Sequence, residues 1–238
     1  MKMNFVIPFI FAGFLSGCSS IKYHKIIDDA FESKKLDKTD NITFFGEAEP
    51  PLPTKEEIED LEIGVDRNNN GIRDDIDIYI NRTFKDYNLV MAARQFARSY
   101  ENFYRKQVEW EQLKIEADKE KAINTSSKIL EELILKLNGL GVSVNKDAGL
   151  MTQAQTCVEY ITLPLNDKHL TMKSIWKVAD LTSFPEKRRE LFSKRIKGIS
   201  ILSSSKFKFN ERYKDCDFQI KDLDSMLNFY INESKRKN

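Results

Sequence analysis

Asp66-Arg67-Asn68-Asn69-Asn70-Gly71-Ile72-Arg73-Asp74-Asp75-Ile76-Asp77 is the stretch that orders the rest of this chain. Side-chain oxygens recur at loop positions 1, 3, 5, 9 and 12 through Asp66, Asn68, Asn70, Asp74 and Asp77, with Gly71 at position 6. Alternate residues of a tightly curled segment point inward, so Asp66, Asn68 and Asn70 can converge on one point. Gly71 permits a turn that a Cβ would resist. Ile72, at position 7, offers its backbone carbonyl while its side chain turns toward a core. Oxygen donors at this spacing suit calcium, a hard cation that takes six to eight of them in flexible geometry. Asp74 would reach such an ion directly or through a water. Asp77 would close the loop, and it also falls in the first turn of the next helix, where the partly positive helix N-terminus favours a carboxylate.

Two features make the site a weak one. Asparagine at positions 3 and 5 leaves three carboxylates, Asp66, Asp74 and Asp77. Position 12 is Asp, shorter than Glu and less able to bind in bidentate fashion. The expected affinity is on the order of 10⁻⁴–10⁻³ M. The same residues also suit an Asn/Gly-rich turn that leads into an Asp-rich helix start and binds nothing.

The form D-x-N-x-N-G-x-x-D-x-x-D is EF-hand-like and resembles the thrombospondin type 3 and dockerin-type repeats, where position 12 is also Asp. That resemblance covers the loop alone and implies a calcium site. Dockerins carry two such loops in tandem and this chain has one, so cohesin binding does not carry over. The longer string from Gly64 to Ile80 resembles a segment of gammaproteobacterial lipoproteins, which implies no activity.

Upstream, Lys2 precedes an apolar run, Phe5 to Phe14, broken by Pro8 and Gly13. It is too short to span a bilayer as a stable helix and reads as the core of a signal peptide. Leu15-Ser16-Gly17-Cys18 resembles the lipobox of bacterial lipoproteins. The resemblance implies a signal peptide over 1–17, cleavage before Cys18, and lipid (palmitate-type acyl chains) on Cys18. Ser19 in place of Asp implies sorting to the outer membrane, facing the periplasm or the cell surface. Three acyl chains would exceed what stable anchoring needs. Residues 18–55 read as a lipidated N-terminus and flexible tether, polar and ending in Glu47-Ala48-Glu49-Pro50-Pro51-Leu52-Pro53. Ile26 to Leu36 could form a short, weakly held helix. Thr54-Lys55-Glu56-Glu57 has capping-box spacing.

Downstream, residues 56–238 read as one all-α domain, an irregular helical bundle carrying the loop. Ile76, Ile80 and Phe84 share one helical stripe from Asp75 to about Lys85. A long helix begins near Tyr87, with Leu89, Ala93, Phe96, Ala97, Tyr100, Phe103 and Tyr104 on one face. The aromatic series with Trp110 suits a core better than a stacking platform. Lys114 to Lys121 reads as a solvated helix middle or a connection. Ile123, Ile129, Leu130, Leu133, Ile134 and Leu137 form a further stripe that Gly139 and Gly141 should end. A helix over Lys146 to about Leu163 would carry Cys157 and stop before Pro164. Another, capped by Thr182 or Ser183, would run to about Lys197. Lys206 to Asn210 alternates like a short strand, and Ile220 to Glu233 closes the chain with Leu223, Leu227, Tyr230 and Ile231 inward.

Net charge is +1, falling to zero without Lys2, which argues against a nucleic-acid binder working by bulk electrostatics. Without Cys18 two cysteines remain, Cys157 and Cys216. In an oxidising compartment they read first as a disulfide, with two buried thiols as the alternative. His24 and His169 are the two histidines, and neither has metalloprotease or hydrolase spacing around it. The pairs Glu56-Glu57 and Glu131-Glu132 fall on expected helix surfaces, and Lys187-Arg188-Arg189 suits a solvated helix start. No catalytic set emerges. The function expected is a lipid-anchored cell-envelope binding or structural protein with a structural calcium ion, its partner an envelope protein or peptidoglycan. An envelope hydrolase and an inhibitor or immunity-type lipoprotein are the alternatives.

Overall fold

The structure is a computed structural model, and it describes residues 19–35, 42–59, 64–123, 127–183 and 207–236. In chain order these form α1 (Ser19–Lys35), β1 (Thr43–Phe44), β2 (Glu47–Ala48), α2 (Lys55–Glu59), α3 (Asp74–Thr83), α4 (Tyr87–Ile123), α5 (Lys128–Thr162) and α6 (Lys168–Thr182). A 3-10 helix (Phe209–Asp215) and α7 (Leu223–Arg236) follow. The chain is an all-α bundle whose two strands make one short hairpin.

Helix α3 is the centre. Asp74 through Asn81 are all buried, because α1, α4 and α6 pack around it. A helix covered on every side must be apolar or ion-paired on every side. Ile76, Ile78 and Ile80 have no exposed surface, each worth roughly 1.5–3 kcal/mol of burial. Between them Asp74, Asp75, Asp77 and Asn81 are buried too, and the fold has to supply their partners.

The described residues of the 18–55 segment, 19–35 and 42–55, depart from the expected tether. Helix α1 lies on α3 and buries Ile27, Ala30 and Phe31, an i, i+3, i+4 set short enough to pass as noise. The hairpin pairs Thr43 with Ala48 and Phe44 with Glu47. Its turn residues Phe45 and Gly46 have φ of 53° and 91°, the positive values that a two-residue turn between twisted strands requires. Glu49 is then buried between Arg82 of α3 (Nε donating at 2.8 Å) and Lys34 of α1 (2.8 Å). Charges that composition assigns to solvent fasten this segment to the bundle. At α2 the expected capping box is present: Thr54 N–H donates to Glu57 Oε2 (2.7 Å), and Glu57 N–H donates to Thr54 Oγ1 (3.3 Å).

Helices α4 and α5 form a long antiparallel pair whose far end leaves the bundle. There Ala117, Leu130 and Leu133, with Leu113 and Leu137, make a small separate core. The Lys114–Lys121 run lies inside α4. Helix α5 runs straight through Gly139 and Gly141, against the expected stop. A Cβ at either glycine would meet nothing within 4 Å. Glycine permits a helix to end without compelling it, and packing along α4 outweighs roughly 0.5–1 kcal/mol per glycine.

Helix α6 was not expected. The helix expected from Thr182 or Ser183 to Lys197 falls outside the described residues beyond Ser183, as does Lys187-Arg188-Arg189. The strand expected over Lys206 to Asn210 is also corrected, since Phe209 opens the 3-10 helix. Cys157 on α5 is bonded to Cys216, just past that helix, with Cα atoms 5.0 Å apart and a sequence separation of 59 residues. A loop of this length gives about 4 kcal/mol in the chain-entropy account, as an upper figure. Helix α7 packs through Tyr230, stacked on Tyr160 with centroids 4.4 Å apart. Ile231 faces solvent, 45 % exposed, where an inward position was expected.

Candidate metal centre

The loop between α2 and α3 is curled by two left-handed residues, Asn69 (φ 54°) and Gly71 (φ 81°). Asp66 holds it from within. Its Oδ1 accepts the N–H of Asn70 at 3.1 Å and its Oδ2 that of Gly71 at 2.9 Å. Asn68 Oδ1 accepts the Asn70 N–H as well (3.4 Å), and Asn70 Oδ1 accepts the N–H of Ile72 (2.9 Å). Side-chain oxygens thus line the inside of the curl, and Ile72 sends its side chain into the core without exposure.

Asp77 closes the loop from the first turn of α3. Its Oδ2 accepts from Asn68 Nδ2 (3.1 Å) and from Asn70 Nδ2 (3.0 Å). Its Oδ1 is buried and receives no hydrogen bond. The nearest cation is Arg94 of α4, with Nε at 3.4 Å. Burial pushes the Asp77 carboxyl above the usual carboxylate range, against the opposing pull of Arg94 and the two amides.

Hydrogen bonds link Asp66, Asn68, Asn70 and Asp77 within the loop, while the carboxylate of Asp74, near enough to Asp66 to be raised by its charge, is bonded to Arg67. The Asp74 carboxylate turns back on the loop, taking Arg67 N–H on Oδ1 (3.0 Å) and Arg67 Nη1 on Oδ2 (2.7 Å). Arg67 Nη2 reaches on to Glu57 (2.6 Å) and holds that carboxyl below its usual range. Asp74 thus ties the loop to α2, and burial raises its own carboxyl despite Arg67. Among the described residues, no group of three or more His, Cys, Asp and Glu side chains is arranged to hold a metal ion. The donors that do converge are mixed, two loop carboxylates with two amides.

Two participants escaped the sequence. Arg94, without exposed surface, donates through Nη2 to Asn81 Oδ1 (2.9 Å) and to the Phe44 carbonyl (3.4 Å). Glu47 of the hairpin lies 3.3 Å from Arg94 Nη1 through Oε1 and accepts from Asn70 Nδ2 on Oε2 at 3.1 Å. The Ala48 carbonyl also accepts from Asn68 Nδ2 (3.3 Å). The available signal for the hairpin was Gly46 shortly after the β-prone pair Thr43-Phe44; Glu47-Ala48 carries no strand preference, and the prolines that follow masked the rest.

Cys18 lies outside the described residues. The adjacent Glu131 and Glu132 are exposed on α5, and His169 is exposed on α6. Among the described residues, no helix is long and apolar enough to cross a membrane. Comparison with known protein families, curated proteins and solved structures finds no match.

Proposed function

We propose that the chain is a lipid-anchored cell-envelope protein of the binding or structural kind, whose loop 66–77 holds a structural calcium ion. The observation that carries this is the convergence of Asp66, Asn68, Asn70 and Asp77 around the inside of one curled loop. Asparagine presents either its NH₂ or its oxygen by a half-turn of the amide, so Asn68 and Asn70 can serve as oxygen donors. A bound calcium ion would supply positive charge that ties loop to α3. Asp74, held by Arg67, orients the loop.

The lipobox at Leu15–Cys18 supports the anchor, and the Cys157–Cys216 bond suits an oxidising compartment. Anchored in this way, the bundle would engage an envelope protein or peptidoglycan. A binder that recognises only the folded state stabilises by about 2.7 kcal/mol at a hundred times its Kd. For a domain of this size that is roughly a 5–10 °C rise in Tm. Thermal unfolding of the purified chain in excess calcium against EDTA checks it: the rise should appear in the parent and vanish in Asp66→Ala. A parent Tm that ignores calcium would remove the metal from the account. Cys18→Ser should move the chain from the membrane fraction to the soluble one, and unchanged membrane retention would remove the lipid.

A further inference from the structure

From the outer face of the α4–α5 arm we infer that the chain pairs with a second copy of itself, α5 against α5 in antiparallel orientation about a dyad at Asn138–Gly139.

The inward side of α5 is marked by Leu133, Val144 and Met151, all buried. Leu135 stands two residues after Leu133 and Val142 two before Val144, about 200° around the helix in each case. Both therefore lie on the outward side, and they are 73 % and 71 % exposed. The 3-10 helix and α6 meet α5 further along, at Thr156, Cys157 and Thr162. Between Leu135 and Val142 sits Gly139, where a Cβ would meet nothing within 4 Å. The single chain gives no packing reason for glycine there, and glycine destabilises an exposed helix interior relative to alanine. A second helix crossing at this point supplies the reason, since the distance between packed helices follows the size of the side chains at the contact.

Charge selects the occupant. The arm carries Glu131 and Glu132 toward one end of this face and Lys146 toward the other, all exposed. They stand roughly 20 Å apart along the helix, too far to pair within one chain. Among the described residues, none of the three forms an ion pair. Laid antiparallel about the dyad, Leu135 of each copy meets Val142 of the other. Lys146 of each copy then meets Glu131 and Glu132 of the other. At the centre the two Asn138 side chains lie together, each with an amide that both donates and accepts. Every contact occurs twice, as a two-fold interface requires. Parallel pairing would set the acidic pair against itself and Lys146 against Lys146. An anionic lipid surface would repel the acidic pair as well. Neither calcium nor the lipid on Cys18 enters the pairing.

Sedimentation velocity of the full chain in density-matched detergent, from low to high micromolar concentration, tests it. The parent should pass from monomer to dimer as concentration rises. Leu135→Asp, at an exposed position, should leave Tm in dilute solution unchanged and abolish the dimer. Glu131→Lys combined with Glu132→Lys should weaken the dimer about tenfold, because each repulsion with Lys146 occurs twice. Adding Lys146→Glu to that chain should restore it. Association through apolar surface alone would not be repaired by the second reversal. A parent that stays monomeric leaves the face to some other occupant and overturns the inference. So does a dimer that survives Leu135→Asp, or a charge reversal that Lys146→Glu fails to rescue.

Discussion

Ile76 and Leu133 hold similar places, each an apolar side chain on the inner face of a charged helix, but their surroundings differ. Ile76 sits without exposure in α3, enclosed by α1, α4 and α6. Leu133 is 9 % exposed in the far part of the α4–α5 pair, with Ala117, Leu130 and two half-buried leucines for company. Nearby, Ile115, Ile123, Ile129, Ile134, Leu135 and Val142 are exposed. The head buries charge as deeply as it buries isoleucine, and so depends on pairing. The arm buries little of either and is held by its seam alone. What differs is how many neighbours come to cover each face.

Breaking the pairing in the head should have the largest effect. Arg94→Met removes the guanidinium that faces Asp77 and Glu47 and leaves both carboxylates uncompensated, an expected loss of about 3–5 kcal/mol. Urea unfolding in EDTA measures it, and a loss under 1 kcal/mol would mean the network is not what supports α3. Next comes the contrast itself. Ile76→Ala should cost about 4 kcal/mol and Leu133→Ala about 2 or less, since the arm can close over the gap and the packed head cannot. Equal losses in the two would erase the distinction between head and arm. Hydrogen exchange sharpens the same point, with amides from Leu113 to Ala117 and Leu130 to Leu137 exchanging well before those of Ile76 to Ile80.

The smallest effect expected is alkaline. Burial pushes the Tyr79 phenol up to about 12, and its hydroxyl donates to the Ser174 carbonyl of α6 at 3.3 Å. The folded state therefore keeps a proton that the unfolded chain releases from about pH 10. The stability that Tyr79 contributes is complete below pH 10 and is lost as pH rises through 12, about 1 kcal/mol by pH 11. Tyr79→Phe should lessen the slope of that part of the stability profile without abolishing it, because burial raises the phenols of Tyr100, Tyr160 and Tyr230 as well. An unchanged slope would place the alkaline sensitivity elsewhere.

The loop, the helical stripes and the pairing of Cys157 with Cys216 were legible in the sequence because each follows from short-range stereochemistry or simple parity. Oxygen-bearing residues at alternate positions around Gly71 curl inward wherever the segment is placed, and Phe96, Ala97, Tyr100 and Phe103 share a face because 3.6 residues make a turn. Tertiary structure alone decided which of two competing partners each polar group took. Asp74 took Arg67 as its hydrogen-bond donor. Glu47 and Glu49, placed by composition in a solvated spacer, were drawn to Arg94 and Arg82. The glycines of α5 stayed helical because α4 lay alongside. Such choices turn on desolvation and on charges dozens of residues away, so they are settled only when the chain brings those charges together.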